Sequence, residues 1–139
     1  DFKFPLPDQK IDRISMMSLV THIFEEEVVH YLRETQRLLK PEGLAYVTFL
    51  LYSDEIVEAS RRNRLTPYGL TFEHEYADGC FIDNKEFPTG GVAYTEPAMM
   101  RMIEAAGLRL HRPFLKGQWS GFHAEPDDDG QDVAILRRA

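Results

Sequence analysis

The chain has 139 residues, enough for one domain with a sizeable core, and its 43% hydrophobic and 28% charged content is ordinary for a soluble globular protein. A formal net charge of −7 argues against binding a nucleic-acid backbone, which calls for a basic surface. The single cysteine, Cys80, excludes an internal disulfide and a Cys-based zinc site, and no apolar run approaches the ~20 residues of a membrane helix. A reducing, cytoplasmic setting is the default expectation. No signal peptide is seen; with no initiating Met and a strand close to its first residue, the chain is expected to begin inside a larger gene product or to have been trimmed.

Residues 1–9 read as an extended lead-in, because Pro5 and Pro7 forbid helix and disfavour a central strand. Asp12 to Met17 forms the first strand, and a helix is predicted from about Glu25 to Leu39. Val28, Leu32, Thr35 and Leu39 recur there at helical spacing. Glu25, Glu26 and Glu27 oppose the positive end of its dipole, Lys40 closes the other end, and Pro41 stops it. A second apolar run follows, up to Leu51. Strand, loop, helix and strand make one βαβ unit, with both strands expected to be buried between helix layers. The loop Ser18–His22 leaves the C-terminal end of the first strand, where open α/β sheets bind ligands.

From 53 to 95 the periodicity fades, and the stretch is expected to be an irregular insertion, or flap, within a single domain spanning 1–139. Pro67, Gly69, Gly79, Pro88, Gly90 and Gly91 punctuate it, with Phe72, Tyr76, Phe81 and Phe87 between them. A short helix is expected at Asp54–Arg62, and short strands at Thr71–Glu75 and Gly79–Asp83. Thr95-Glu96-Pro97 opens a late helix, with Thr95 as N-cap and Gly107 in the left-handed position beyond its end. Its face of Met99, Met100, Ile103 and Ala106 reads as core. A strand from Leu108 to Leu115, a loop around Trp119, an acidic turn at Glu125–Gly130 and a last strand at Gln131–Arg137 complete the chain. Asp127, Asp128 and Asp129 lack the spacing of a calcium loop.

Asp12 to Leu19 followed by Val20-Thr21-His22-Ile23, then a helix ending Arg37-Leu38-Leu39-Lys40-Pro41-Glu42-Gly43 and a strand, resembles class I S-adenosylmethionine-dependent methyltransferases. The resemblance implies an α/β fold: a partial Rossmann-like sheet equivalent to the family's fourth to seventh strands, the last antiparallel, with flanking helices. It implies S-adenosyl-L-methionine as cofactor of the full-length protein, and it places Ser18, Leu19 and Thr21 near the methionine moiety. The family's Gly-rich loop and the acidic residue after its second strand do not lie in these residues, so the chain is similar to the C-terminal half of such an enzyme.

Methyl transfer requires an oriented nucleophile, sometimes deprotonated, and exclusion of water. His22, the only histidine at a strand-end loop of the parallel core, is the candidate base or orienter; the alternative is a hydrogen bond within its own loop or a cap on the following helix. Trp119 and Ser120, in a loop flanked by Gly117 and Gly121, are candidates for holding a cation or planar substrate, with Tyr94 reaching the same side. The five histidines show no paired metal-ligand spacing. A small-molecule acceptor is expected in preference to a macromolecule, with no membrane and no nucleic acid involved. The unpaired edge of strand 12–17 would permit a homodimer. The acceptor and the atom methylated are not legible, and a non-catalytic methyltransferase-like module for binding or dimerisation stays open beside the enzyme.

Overall fold

The structure, a computed structural model, describes residues 2–65 and 69–139; Pro67 lies outside them. The elements are β1 (Ile11–Met16), α1 (Glu25–Leu38), β2 (Leu39–Phe49), β3 (Leu51–Tyr52), α2 (Asp54–Asn63), β4 (His74–Ala77), β5 (Cys80–Ile82), β6 (Val92–Thr95), α3 (Glu96–Ala105), β7 (Leu108–Leu110) and β8 (Asp132–Arg138). They build two four-stranded sheets, ordered β1-β2-β8-β7 and β3-β6-β5-β4. Among the described residues no helix is long and apolar enough to cross a membrane.

The first sheet follows the expected plan. β1 and β2 run parallel, joined by α1, and the last strand inserts antiparallel between β2 and β7. Val47 and Phe49 of β2 and Leu136 of β8 are fully buried, and they share one core with Val28 and Leu32 of α1 and Met99, Met102 and Ile103 of α3. That shared core accounts for the apolar stripes of both helices. Thr95 caps α3 as expected, its hydroxyl accepting from the Ala98 N–H at 3.3 Å, and Gly107 lies at φ +74°. At the start of α1, Glu27 reaches back to the Phe24 N–H at 3.2 Å.

Several boundaries differ from expectation. β1 is not buried on both sides: it is the sheet's edge, with Ile14 and Met16 packed into the core while Asp12, Arg13 and Ser15 are exposed. The helix exit is not a separate stop, because β2 starts at Leu39. Ile11 pairs with Leu39 and Arg13 with Leu44, so Lys40–Gly43 bulges out between two ladder positions. Gly43 fits there because a Cβ would come within 2.9 Å of Leu39 Cδ2 and 3.0 Å of the Lys40 carbonyl. The strand expected over Leu108–Leu115 ends at Leu110; Pro113 has no N–H to give, and only Leu115 rejoins, bridging to Val133.

Between 53 and 95 the chain forms α2 and most of the second sheet. Leu50 is the single residue separating β2 from β3, so the chain passes directly from one sheet to the other. The strand expected from Thr71 begins later, at His74, because Asp83 Oδ1 accepts from the N–H groups of Thr71 and Phe72 and holds that backbone out of the ladder. The hairpin turns at Asp78-Gly79, where Gly79 takes φ +72°. Leu50, Ile56, Val57, Phe72, Ala93 and Trp119 form a second core under this sheet.

Candidate functional site

The parallel pair β1–β2 ends in a cleft of about 730 Å³, the edge at which open α/β sheets bind ligands. Its floor is the exit of β1. Ser18 takes φ +55°, and its N–H donates to Thr48 Oγ1 at 2.7 Å, which turns the chain sharply off the strand. A single 3₁₀ turn, Val20–His22, follows. Within it Thr21 is buried and its hydroxyl donates to the Ser18 carbonyl at 3.1 Å. Gln131, just before β8, donates from Nε2 to Ser18 Oγ at 3.0 Å. Its Oε1 is buried without a partner among the described residues.

His22 is exposed at the cleft. Its Nδ1 lies 2.8 Å from the carbonyl oxygen of Thr89. A carbonyl only accepts, so Nδ1 carries the hydrogen and the neutral ring keeps its lone pair on Nε2. The same contact ties the β1 exit to the Pro88–Gly90 turn of the 53–95 stretch.

The opposite wall is organised by Asp132, the first residue of β8, which is 1% exposed. Its Oδ2 accepts from the Leu51 N–H at 2.8 Å and from Trp119 Nε1 at 2.8 Å. Its Oδ1 accepts from the Gly117 N–H at 2.9 Å. Burial pushes this carboxyl above the usual carboxylate range, while the three donors pull it back. Trp119 is 6% exposed and packs edge-to-face on Phe72, with ring centroids 5.9 Å apart.

Ser18, Thr21, His22 and Trp119 therefore border one cleft. The other candidates do not join them. Leu19 turns to a separate groove beside the lead-in. Tyr94 is fully buried in the main core, and its hydroxyl donates to the Ile23 carbonyl at 2.7 Å. Burial there raises its phenol far above the ordinary range. Ser120 is also fully buried: its hydroxyl accepts from the Phe122 N–H at 3.2 Å and its carbonyl from Asn63 at 3.2 Å. Neither lines the cleft, and the side-chain hydroxyl of each is engaged by a backbone group. Trp119, expected as an open aromatic face, is a pinned wall.

Asp132, Gln131 and Gly117 were not singled out from the sequence. The available signal was an acid at the head of the apolar run Val133–Leu136, which reads equally well as a solvated strand end.

The family model described as a methyltransferase domain matches residues 1–47. Among solved structures, mitomycin 7-O-methyltransferase is similar at 18% identity and a TM-score of 0.56, covering 96% of this chain and 31% of its own. An S-adenosylmethionine-dependent methyltransferase from Methanosarcina mazei is similar at 19% identity and a TM-score of 0.58, covering 98% of this chain and 63% of its own. The Burkholderia thailandensis 1,6-didemethyltoxoflavin N1-methyltransferase, solved with its substrate and S-adenosylhomocysteine, is similar at 15% identity and a TM-score of 0.56, covering 98% and 47%. The chain thus spans between about a third and two thirds of these proteins. At these identities the likeness is one of fold.

Proposed function

We propose, from the class I S-adenosylmethionine-dependent methyltransferase fold that this chain carries, that it is the C-terminal part of an enzyme transferring a methyl group to a small-molecule acceptor. When bound, S-adenosyl-L-methionine supplies an electrophilic methyl group on a sulfonium. The residues at the β1 exit suit its amino-acid end: Ser18 is small and lies in a left-handed turn, and Thr21 is held beneath it. Leu19 contributes apolar packing on the far side of the same turn.

The observation that carries this reading is the orientation of His22. The Thr89 carbonyl claims Nδ1, so Nε2 is left to accept a proton from an acceptor hydroxyl or N–H seated in the cleft. Such a base needs to be within hydrogen-bond reach and correctly tautomerised before its basicity matters. The apolar lining from Leu50, Leu65, Leu70 and Trp119 keeps water away from the reacting atoms. 1,6-Didemethyltoxoflavin, bound by the Burkholderia enzyme, is a small molecule, which supports the same class of acceptor here. The buried, unpaired Cys80 suits a reducing, cytoplasmic compartment.

The test is His22→Gln in the longer protein, assayed with S-adenosylmethionine labelled on the methyl group and a panel of small hydroxylated and N–H acceptors. Turnover is expected to fall about 10²-fold, with cofactor affinity nearly unchanged. Unaltered turnover would return His22 to a purely structural hydrogen bond. A longer protein that binds no cofactor and transfers no methyl would leave a non-catalytic methyltransferase-like module.

A further inference from the structure

We propose that the outer face of the first sheet is a docking surface for a partner polypeptide, an amphipathic helix whose apolar stripe is flanked by carboxylates. The inference stands apart from the cleft and from methyl transfer.

The two faces of this sheet differ. Ala45, Val47, Ala134 and Leu136 belong to the core shared with α1 and α3. Side chains alternate along a strand, so Leu44, Tyr46, Ile135 and Arg137 point the other way. The strand registers line these residues up. Arg13 pairs with Leu44, and Arg109 pairs with Arg137. Ala45 pairs with Leu136, and the next step of that antiparallel ladder sets Leu44 beside Arg137. Arg13, Leu44, Arg137 and Arg109 therefore form one row across all four strands. Tyr46 and Ile135 pair in the neighbouring row, and beyond them Thr48 and Val133 are buried. α/β sheets are usually covered on both faces; here α1 and α3 both pack on the core face.

The centre of the outer face is apolar and its margins are cationic. Leu44, Tyr46 and Ile135 are only half-buried. The Tyr46 hydroxyl donates to Asp128 Oδ2 at 3.0 Å, so its polar end is satisfied within the chain. Arg13 and Arg109 are exposed, in a chain whose net charge is −7. Arg109 and Arg137 stand directly opposite on neighbouring antiparallel strands, where like charges repel. Among the described residues, the one carboxylate within ion-pair distance of either is Glu42, 3.8 Å from Arg137 and 92% exposed, and such a pair contributes little. Arg13 donates to a neutral group, the Asp12 carbonyl, at 2.7 Å. A carboxylate brought across Arg109 and Arg137 would remove their repulsion and gain charge-assisted hydrogen bonds.

This arrangement selects the partner. The row is about 14 Å wide, three strand spacings, and a helix with its side chains is about 10–12 Å across. One helix laid along the strands covers Leu44, Tyr46 and Ile135. The flanks of its apolar stripe then lie over Arg13 on one side and over Arg137 and Arg109 on the other. A nucleic-acid backbone offers charge without an apolar stripe, and the net charge of the chain repels it.

The test is fluorescence anisotropy with the 139-residue chain and labelled helical peptides of about five turns. The first peptide carries Leu at i, i+3, i+4 and i+7 with Glu on both flanks. It is expected to bind with a micromolar Kd that weakens as salt is added. A Leu/Lys counterpart, an all-Glu peptide without the stripe and a short DNA duplex are each expected to bind at least about tenfold more weakly. Arg13→Glu combined with Arg109→Glu is expected to weaken the Leu/Glu peptide about tenfold or more. The same reversal of two exposed arginines on α1 and α2, Arg33→Glu with Arg62→Glu, is expected to change its affinity less than about twofold. Failure of the Leu/Glu peptide to bind overturns the proposal, as does equal or tighter binding of any of the three controls. Equal weakening by the two double variants also overturns it, since net charge alone would then explain the binding. If the reversal at 13 and 109 unfolds the chain, Arg13→Gln with Arg109→Gln decides: weaker binding is expected, and unchanged affinity overturns the proposal.

Discussion

Gly117 shows how closely the cleft's far wall is packed. A Cβ at this position would lie 2.4 Å from the Gln131 carbonyl carbon and 2.5 Å from the Gly130 carbonyl oxygen, both backbone atoms that have no rotamer to move into. The glycine is required by close approach of two chain segments, and its N–H is also one of the donors to Asp132. Gly117→Ala is therefore expected to destabilise the chain by about 1–3 kcal/mol and to change the fluorescence of Trp119. The measurement is a urea unfolding curve followed by tryptophan emission; an unchanged midpoint and emission maximum would show that the loop yields without cost. Gly69, with nothing near its Cβ position among the described residues, offers the contrast, although its φ of +61° still favours glycine.

At the scale of elements, the lead-in is fastened to α1 by one charged cluster. Glu34, on the buried side of α1, accepts from the Phe4 N–H at 2.9 Å and from Arg37 at 2.8 Å. Arg37 in turn donates to the carbonyls of Phe4 and Leu6 and to Asp8. The Arg37 guanidinium is the largest influence holding the Glu34 carboxyl down, from 4.5 to about 2, and the Phe4 N–H adds to it. The folded-state pKa lies below the unfolded one, so the fold binds fewer protons than the unfolded chain between these values. The cluster's contribution is thus complete above about pH 4.5 and is lost as pH falls toward 2. Thermal melts across that window are expected to show the loss, and Glu34→Gln is expected to melt lower at pH 7 with a shallower decline. An equally steep decline in the variant would assign the acid sensitivity to other carboxylates. The surface pairs Lys40–Asp12 and Arg62–Glu58 are too exposed to contribute much.

At the scale of the whole molecule, the edge at β1 is open and apolar. β1 pairs only with β2, leaving its outer row of N–H and C=O groups without a strand. Beside it lies a groove lined by Phe4, Leu6, Ile14, Met17 and Leu19, with Met17 61% and Leu6 46% exposed. The lead-in bonds to the end of α1, through Gln9 and Lys10 to the carbonyls of Arg37 and Leu38, so it does not occupy the edge. An apolar strand edge in this state attracts a further strand. We expect the 139-residue chain to pair with a second copy along β1, antiparallel about a two-fold axis. Sedimentation velocity at micromolar concentration is the check, and Ile14→Lys is expected to shift any dimer to monomer. A stable wild-type monomer would mean that the groove is too small to offset the entropy of association.

What the sequence determined by itself is the part governed by local chemistry. Apolar spacing and acidic first-turn residues set α1, Ser53 and Thr95 cap α2 and α3, and a βαβ order with a late apolar run implies the parallel pair and the returning strand. His22 was legible because a strand-end loop is a position in the chain as well as in space. Tertiary structure decided everything that depends on which distant segments meet. The sequence does not say that Asp132, 13 residues from Trp119 and 81 from Leu51, would be the buried acceptor for both, nor that Tyr94 and Ser120 would have their polar atoms taken by backbone groups. Exposure of a loop aromatic, burial of an acid and the reach of a phenol are properties of packing, and packing is settled only when β8 enters between β2 and β7 and draws the Trp119 loop down onto the second core.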